Sequence, residues 1–328
     1  MRKQDHFQGR INSDFAKGKQ FARNHNPYSM FLPSTYEPLS CLYEGGASVL
    51  YECKDTKTNE RVVAKMIPFD KPRLKLYYEN EIDILFDLRF CPNVIKMKEY
   101  ETYEEHGCIF LPKMKCDLFQ LLEENGKFEE NTTKNIFHQI CSAVKMCHDN
   151  GIAHLDIKPE NILQSYSGDY YLADFGGSRR LKNVQVSDKF LMVTKAYCAP
   201  ELRKLPGSVS FDPFAADVWS LGVLLYTLLT GTWPYNQALN TLTPETHVEL
   251  AHPSLPPPAE NFLKFILQHD FLNRPTIDQM IAHPWFIKEE LNAREQRRYL
   301  RGTTRVKRTL NSLSSKIRIL RNRIKLSN

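Results

Sequence analysis

The residues with the clearest chemical potential lie in the middle of the chain, in the stretch HLDIKPENIL at positions 154–163. Asp156 is followed by Lys158 two positions later and by Asn161 five positions later. Asp174 stands eighteen residues after Asp156, in the run LADFGGS. Transfer of a γ-phosphoryl group needs a carboxylate that accepts the proton of the attacking hydroxyl, a cation near the phosphate and oxygen ligands for Mg²⁺. These four side chains could supply them, so the set predicts a phosphoryl-transfer site.

The two runs resemble the catalytic loop and the metal-binding turn of the eukaryotic protein kinases, H-R-D-x-K-x-x-N and D-F-G. The resemblance implies a serine/threonine kinase that uses ATP and Mg²⁺, with Mn²⁺ as an alternative metal. Under it Asp156, Lys158 and Asn161 are the catalytic residues. Asn161 and Asp174 are the metal ligands.

The resemblance also implies an α+β fold with two lobes: a small, mainly antiparallel β N-lobe with one key helix, and a larger, mainly α-helical C-lobe. It covers roughly Leu39 to Phe286 and ends at HPWF, which is most similar to the calcium/calmodulin-dependent and checkpoint-type branch. The expected segments are a flexible N-terminal extension (1–38), a kinase domain (39–286) and a basic amphipathic tail (287–328). Within the domain we expect an N-lobe at 39–112, a hinge at about 112–115 and a C-lobe at 116–286.

A glycine turn between two predicted strands at 39–67 suits a loop whose backbone N–H groups cover phosphates. The kinase form of this loop is G-x-G-x-x-G-x-V. Here the three glycine positions hold Tyr43, Gly45 and Ser48, with Gly46 beside the one remaining glycine. Side chains at the outer positions restrict the approach of the backbone to a nucleotide, which leaves the ATP affinity open.

The resemblance implies that Lys65, fifteen residues after Leu50, holds the α- and β-phosphates and pairs with Glu81. Glu79 is a rival for that pairing at two residues' distance. Leu111 corresponds to the gatekeeper, and the backbone of Pro112 and Met114 would face the adenine edge. The remaining ATP-binding residues implied are Leu42, Gly45, Gly46, Leu50, Val63 and Leu163.

Hydrophobic periodicity predicts the elements around these residues. A helix is predicted over 71–89, with Tyr78, Ile82, Leu85 and Phe86 in one apolar stripe. Strands are predicted at VIKMKEYETY (94–103) and GCIFLPKM (107–114). The run DVWSLGVLLYTLLTG (217–231) is so uniformly apolar that it predicts a fully buried helix.

The residue before the catalytic aspartate departs from the family pattern. Most regulated kinases have an arginine there, which receives a phosphate on the activation segment. Here it is Leu155, and the usual acceptor position, four residues before Thr194, is Phe190. Ser187 is the only Ser or Thr between Ser178 and Thr194. We therefore predict that activity does not require phosphorylation of the activation segment.

Further residues of the resemblance are structural or concern the substrate. Thr194 would bridge Asp156 and Lys158, as in kinases that act on serine and threonine hydroxyls. The predicted stabilising residues are Glu201 and Arg274, as a buried ion pair, and Asp217, as an acceptor for the catalytic-loop backbone. Glu160 and Asp117 could favour substrates with basic residues N-terminal to the acceptor.

Composition is that of an ordinary soluble protein, with 42% hydrophobic and 25% charged residues in 328. No run reaches eighteen apolar residues and the start has no apolar signal region, so we expect neither a transmembrane segment nor secretion. The eight cysteines include no C-x-x-C pair, which favours reduced thiols and a cytoplasmic or nuclear location.

Charge is concentrated in the tail. From Lys288 to Asn328 there are thirteen Lys and Arg against three Glu, a balance of +10, which leaves −4 for the other 287 residues. A basic amphipathic helix is predicted from its apolar positions, Leu310, Leu313, Ile317, Leu320 and Ile324. Such a helix could inhibit its own kinase domain, bind a calmodulin-like partner, contact an anionic membrane or nucleic acid, direct nuclear import, or have no regulatory role.

Two classes of function therefore remain. The first is an active ATP-dependent kinase, since Lys65, Asp156, Asn161 and Asp174 are all present. The second is a pseudokinase scaffold that binds nucleotide or partners without efficient phosphoryl transfer. The altered glycine loop and Leu155 favour that alternative.

Overall fold

The structure is a computed structural model of the chain, and it describes residues 32–180, 194–204 and 211–287. Ser187, Phe190, the amphipathic positions of the tail and most of the N-terminal extension lie outside these ranges. The chain divides into two compact units, Met1–Ile281 and Ala282–Asn328. The described part of the second unit is a short turn in which the Phe286 N–H donates to the His283 carbonyl. The fold below belongs to the first unit.

Five antiparallel strands form the sheet of the N-lobe, in the order β1-β2-β3-β5-β4. Side chains alternate across it: Val49, Tyr51 and Cys53 of β2 are buried, whereas Leu50 and Glu52 between them are partly exposed on the other face. Because side chains alternate between the two faces of a strand, every second residue of β2 lies on the face towards the C-lobe. The strands are β1 (Tyr36–Glu44), β2 (Val49–Asp55), β3 (Arg61–Pro68), β4 (Glu99–Thr102) and β5 (His106–Pro112).

One long helix, α1 (Pro72–Asp87), belongs to this lobe. It begins with a proline, whose missing N–H has no partner in a first turn anyway. Tyr78, Ile82 and Leu85 are buried as the apolar stripe predicts. Phe86 is not: its side chain is 57% exposed and lies under the Arg89 guanidinium, 4.2 Å from the ring centroid. The prediction for Phe86 was wrong because residue 86 lies a further 100° around the helix from Leu85.

The C-lobe is mainly helical, and its longest buried element is α4. Every residue of α4 except Phe214 is buried. Asp212 caps it by accepting from the Phe214 and Ala215 N–H groups, and Gly231 ends it with φ +72°. Within the described residues α4 alone is long and apolar enough to cross a membrane, and 94% of it is buried inside the fold. The helices are α2 (Leu118–Asn125), α3 (Glu130–Asp149), α4 (Pro213–Thr230), α5 (Pro257–Ile266) and α6 (Ile277–Ile281).

Short strands in the C-lobe hold the segment that carries the predicted chemistry. One sheet has the order β6-β8-β9 and another pairs β7 with β10. The chain passes from β7 through residues 154–161 into β8, returns in β9 and reaches Asp174 directly afterwards. The strands are β6 (Cys116–Asp117), β7 (Ile152–Ala153), β8 (Ile162–Gln164), β9 (Tyr170–Leu172) and β10 (Arg179–Arg180). The predicted α+β class, with an antiparallel N-lobe and a helical C-lobe, is confirmed.

Candidate active site

Three charged residues from three elements meet between the lobes. Lys65 of β3 places its Nζ 2.6 Å from Glu81 Oε2 of α1 and 2.8 Å from Asp174 Oδ1. Lys65 and Glu81 are 6% and 1% exposed. Lys65 is therefore paired with Glu81, and the rival Glu79 is an exposed residue of the same helix. The Lys65 ammonium already pairs with two carboxylates, so an anionic ligand can bind it only by sharing the ammonium with them.

The electrostatics of this cluster favour the charged lysine. Burial alone would lower the pKa of the Lys65 ammonium, but the Asp174 and Glu81 carboxylates outweigh it and raise that pKa above its ordinary value. Burial would raise the pKa of Asp174, and the attraction of Lys65 instead holds it below its usual range. For Glu81 burial prevails over Lys65, and its pKa is raised.

A second polar network surrounds the carboxylate of Asp156. Its Oδ1 accepts from Thr194 Oγ1 at 2.9 Å, and its Oδ2 accepts from Asn161 Nδ2 at 2.9 Å and lies 2.8 Å from Lys158 Nζ. Lys158 Nζ also donates to Thr194 Oγ1 at 2.9 Å. Burial would lower the pKa of Lys158, but Asp156 more than offsets it and raises that pKa. The network holds a carboxylate in one orientation with an ammonium beside it.

A buried carboxylate of the C-lobe fixes the backbone of the loop that leads into Asp156. Asp217 of α4 accepts from the N–H groups of His154 and Leu155, both at 2.7 Å. Leu155 has φ +67° and is 5% exposed, so an apolar side chain in a left-handed conformation fills this position. His148 of α3 lies 2.9 Å from the same Asp217 carboxylate, a contact that the sequence did not indicate.

The turn that carries Asp174 is held on the C-lobe side by His154. The ring of His154 is fully buried, with its Nε2 2.9 Å from the Ala173 carbonyl. It packs edge-on against Phe175 with ring centroids 4.8 Å apart. Asp174 itself has φ +62°, a conformation that costs a non-glycine residue energy and persists where its surroundings impose it.

Four of the predicted nucleotide-binding side chains share one face of the N-lobe sheet. Leu50 pairs with Lys65 across β2 and β3, and Val63 pairs with Leu111 across β3 and β5. Directly opposed residues of antiparallel strands lie on the same face, and Val63 and Lys65 are two apart. The remaining apolar members are partly or fully exposed: Leu42 in β1, Pro112 at the end of β5, Met114 after it and Leu163 in β8.

The ring of Tyr43 packs against the glycine loop. The Gly45 N–H donates to the Ser48 carbonyl at 3.0 Å. A Cβ placed on Gly45 would come within 2.5–2.7 Å of the Tyr43 ring, whereas one on Gly46 would meet nothing within 4 Å. The Tyr43 ring therefore lies against Gly45, and any side chain at 45 would displace it.

A cavity of about 520 Å³ lies on the other face of the sheet, lined by Val49, Met66, Phe69 and His106 among others. Val49 and Met66 are opposed across β2 and β3, and they are the sequence neighbours of Leu50 and Lys65. Side chains of successive strand residues point to opposite faces, so this cavity is separate from the face that carries Lys65.

The donor set of the predicted metal site fits Mg²⁺. The Asn161 Nδ2 is engaged by the Asp156 carbonyl at 2.8 Å and by its carboxylate, which leaves Oδ1 as the amide atom for a cation. Asp174 binds Lys65 through Oδ1, and its side chain remains 33% exposed. One amide oxygen and one carboxylate, with room for water and phosphate, are the hard oxygen ligands that Mg²⁺ accepts.

Away from the chemistry, Glu201 and Arg274 form a bidentate ion pair with both N–O distances at 2.7 Å. The Arg274 side chain is 0% and that of Glu201 8% exposed. Arg274 also donates to the carbonyls of Ala215, Gln268 and His269. The pair ties the end of the activation segment to α4 and to the segment before α6.

The site contains contacts that no motif announced. Asn80 of α1 donates to three backbone carbonyls of the turn after Asp174, and the neighbouring Tyr77 covers Gly176. Both residues sit on the helix that carries Glu81. Sequence reasoning missed these contacts because they join residues about 95 positions apart.

Comparison with known proteins agrees with this geometry. A family model described as the protein kinase domain matches residues 36–286. NUAK family SNF1-like kinase 1 of Mus musculus is 30% identical over 272 residues, which are 80% of this chain and 40% of that protein. CBL-interacting serine/threonine-protein kinase 16 of Arabidopsis thaliana is 30% identical over 285 residues, 80% of this chain and 59% of that protein. Putative sperm motility kinase W of Mus musculus is 32% identical over 272 residues, 79% of this chain and 52% of that protein.

The chain thus spans about half the length of these curated relatives. The family model covers more than two thirds of the chain and includes every residue of both polar networks. The chain belongs to the eukaryotic protein kinase family, of the serine/threonine type.

Proposed function

We propose that the protein is an active serine/threonine kinase that transfers the γ-phosphate of ATP to hydroxyl groups of protein substrates. The observation that supports this most is the meeting of Lys65 with Glu81 and Asp174 at 2.6 and 2.8 Å. In protein kinases a strand lysine paired with a helix glutamate, and a metal-binding aspartate in place, are both required for activity. Asp156 then accepts the proton of the attacking hydroxyl.

Within this proposal each side chain has a defined task. Lys65 holds the α- and β-phosphates, and Leu50, Val63, Leu111 and Leu163 enclose the adenine between the lobes. Asn161 and Asp174 would hold Mg²⁺, which would neutralise charge on the phosphates. Lys158 stabilises the negative charge of the transferring group, and Thr194 keeps Asp156 and Lys158 in register.

The test combines binding with transfer. The purified chain should melt at a higher temperature with ATP and Mg²⁺ than with EDTA alone. It should also move label from γ-labelled ATP to serine or threonine of a generic basic protein. Stabilisation by Mg²⁺ and ATP with no label transfer would favour the alternative, a pseudokinase scaffold. The specific observation behind that alternative is the Tyr43 ring packed on the glycine loop.

We further propose that the kinase does not need activation-segment phosphorylation. The support is Leu155, a buried side chain that offers no charge or donor to a phosphate. Activity should survive treatment with a phosphatase. A large loss that rephosphorylation of Ser187 restores would refute this.

The preference for basic residues before the acceptor rests on Glu160. Its Oε2 is buried and has no hydrogen-bond partner among the residues that the structure describes, and burial raises the pKa of this carboxyl. The Asp117 carboxylate contributes to the same rise, so the two acids are neighbours. A guanidinium from a substrate would supply the missing donor. Peptides with arginine two or three positions before the serine should be phosphorylated faster than the alanine versions.

The proposals for the tail and for the location rest on the sequence alone. Its +10 balance over 288–328 supports an autoinhibitory segment, a calmodulin-like partner, contact with nucleic acid or an anionic membrane, or a nuclear signal. A cytoplasmic or nuclear location is proposed from the eight cysteines, which include no C-x-x-C pair. Truncation at Lys288 separates these: a rise in activity, a loss of calcium-dependent capture, or a change of location each identifies one role.

A further inference from the structure

Helix α1 is linked to the metal-binding turn through Glu81 and Lys65, and it also contacts the turn directly. The Nδ2 of Asn80 lies 3.3 Å from the Phe175 carbonyl oxygen, 2.9 Å from that of Gly176 and 3.0 Å from that of Ser178. An amide nitrogen has two hydrogens, so the carbonyls of residues 175, 176 and 178 share them, with one hydrogen divided between two acceptors. Those residues follow Asp174 directly.

Tyr77 covers the same turn one helical step earlier. A Cβ on Gly176 would lie 1.7 Å from Tyr77 Cε1, so the tyrosine ring occupies the space that any side chain at 176 would need. The ring also lies near Lys65, with Nζ 5.9 Å from its centroid. Residues 77 and 80 are three apart and share a face of the helix, which places both against the turn.

The chain beyond the turn is anchored to α1 as well. Arg180 Nη1 lies 2.7 Å from Asp87 Oδ2, and its Nη2 donates to the Asp83 carbonyl at 3.2 Å. The first residues of the activation segment are thus fixed by uncharged and charged contacts from one helix. Leu155, on the C-lobe side, contributes none of the charge-assisted contacts that an arginine there would provide.

We propose that Asn80 is a positioning residue for phosphoryl transfer: by holding the carbonyls of 175–178 against α1 it keeps Asp174 at the metal site, with Tyr77 as the cover of that turn. The inference rests on the proposed function, in which Asp174 ligates Mg²⁺. Asp174 has φ +62° and is held from both sides, by His154 through Ala173 and Phe175 and by Asn80 through the carbonyls that follow. If one restraint is removed, the fraction of molecules with Asp174 in position falls, and the apparent affinity for the metal falls by that fraction.

The test uses the full chain and compares three variants of Asn80. Asn80→Asp keeps the shape but removes both N–H donors and turns carboxylate oxygens towards carbonyls. Asn80→Ala removes the side chain, and Asn80→Gln keeps an amide donor. The matched control is Glu79→Gln, an exposed neighbour on the same helix. Two quantities are measured: the Mg²⁺ concentration that gives the half-maximal rate at saturating ATP, and the melting temperature with ATP plus EDTA and with ATP plus Mg²⁺.

The expected result is a rise of about tenfold or more in the Mg²⁺ midpoint for Asn80→Ala, since the loss of one to two net hydrogen bonds is of that size. Asn80→Asp should raise the midpoint further, and Asn80→Gln less than Asn80→Ala. The extra stabilisation that Mg²⁺ adds to ATP should shrink in the same order, while stabilisation by ATP with EDTA stays as in the parent.

The two proposals fail in different ways. If the parent binds Mg²⁺ and ATP but transfers no label, the proposed function fails, and the Mg²⁺-dependent melting shift still decides the role of Asn80. If the parent transfers label and Asn80→Asp has the parent's Mg²⁺ midpoint and melting shifts, the positioning role is overturned. A purely structural Asn80 would lower the melting temperature equally with and without Mg²⁺, and that result overturns it too.

The Tyr77 variants give a second reading that does not depend on Asn80. Tyr77→Phe keeps the ring on Gly176 and should keep the parent's Mg²⁺ midpoint. Gly176→Ala should raise that midpoint, and adding Tyr77→Ala should bring it back towards the parent because the space for a methyl group is then free. If Gly176→Ala is impaired equally with and without Tyr77→Ala, the ring is not the cover of the turn.

Discussion

Replacing Arg274 by alanine should strongly destabilise the protein, because Arg274 belongs to a buried ion pair. The substitution removes both 2.7 Å bonds to Glu201 and leaves that carboxylate, whose side chain is 8% exposed, without its cation. It also removes the donors to Ala215, Gln268 and His269. Arg274 lies 4.9 Å from the Trp219 ring centroid, so ring packing is lost as well.

The magnitude follows from the burial of both partners. Removing one member of a buried pair strands a charge and costs about 3–5 kcal/mol. For a domain of this size each kcal/mol lowers the melting temperature by about 2–4 °C, so the expected shift is roughly 6–20 °C. Replacing both residues with apolar ones, Glu201→Leu with Arg274→Met, should cost less than the sum of the single changes, because no charge is then stranded.

The assay is urea unfolding followed by fluorescence, with melting curves in parallel. The matched control is Lys264→Ala, which breaks the Lys264–Glu260 pair on α5, where the lysine is 60% exposed. Pairs of that kind contribute little, so the control should shift the melting temperature by less than about 2 °C. A shift for Arg274→Ala no larger than the control would refute the reasoning that burial makes this pair stabilising.

Three further changes test the site. Glu81→Gln should lower kcat at least about tenfold with little change in peptide KM, because Lys65 then loses its 2.6 Å partner; equal kcat would contradict it. Gly45→Ala should raise the KM for ATP by displacing the Tyr43 ring. The double change with Tyr43→Ala should restore the parent's KM. A raised KM in both variants would show that the Tyr43 ring is not the cause. Burial raises the pKa of Glu160, so its carboxyl favours folding when protonated and this stability is lost as pH rises through that raised pKa. Glu160→Gln should therefore have a higher melting temperature than the parent at pH 7–8 and the same melting temperature near pH 4. Its preference for arginine peptides should fall. Melting curves across pH check the first expectation.

The sequence predicted the loop residues around Asp156 because their motif is local, whereas Lys65 and Asp174 are 109 positions apart and were linked only by the resemblance. Asp156, Lys158 and Asn161 lie within six positions, and their order along one loop already restricts where their side chains can meet. Thr194 contacts Lys158 and Asp156 at 2.9 Å from 36 and 38 positions away, and only the resemblance indicated that. Periodicity alone was enough for the burial of α4, since a helix that is apolar on all sides must be enclosed.

The errors arose where tertiary contacts decide. The predicted strand at 94–103 is shorter in the structure, where β4 covers only Glu99–Thr102. The first part of that stretch pairs elsewhere: Val94 bridges Leu172, and the Ile95 N–H donates to the Leu172 carbonyl in the C-lobe. An alternating pattern does not specify which partner a strand will find.

Asn80 and Tyr77 were missed for a related reason. Their role depends on where α1 stands against a turn about 95 residues later, and neither position belongs to a motif. Asn in a helix interior is a weak helix former, which was the only available signal of another purpose. Long-range contacts of single polar side chains are visible only once the two lobes are placed together.

The most direct test of the central claim is label transfer from γ-labelled ATP to a protein substrate by the full chain and by Asp174→Ala, each with Mg²⁺ present. Our account predicts labelled serine or threonine with the parent and a rate at least about 100-fold lower for the variant, because one of two protein ligands of the metal is gone. Equal rates for parent and variant would contradict it.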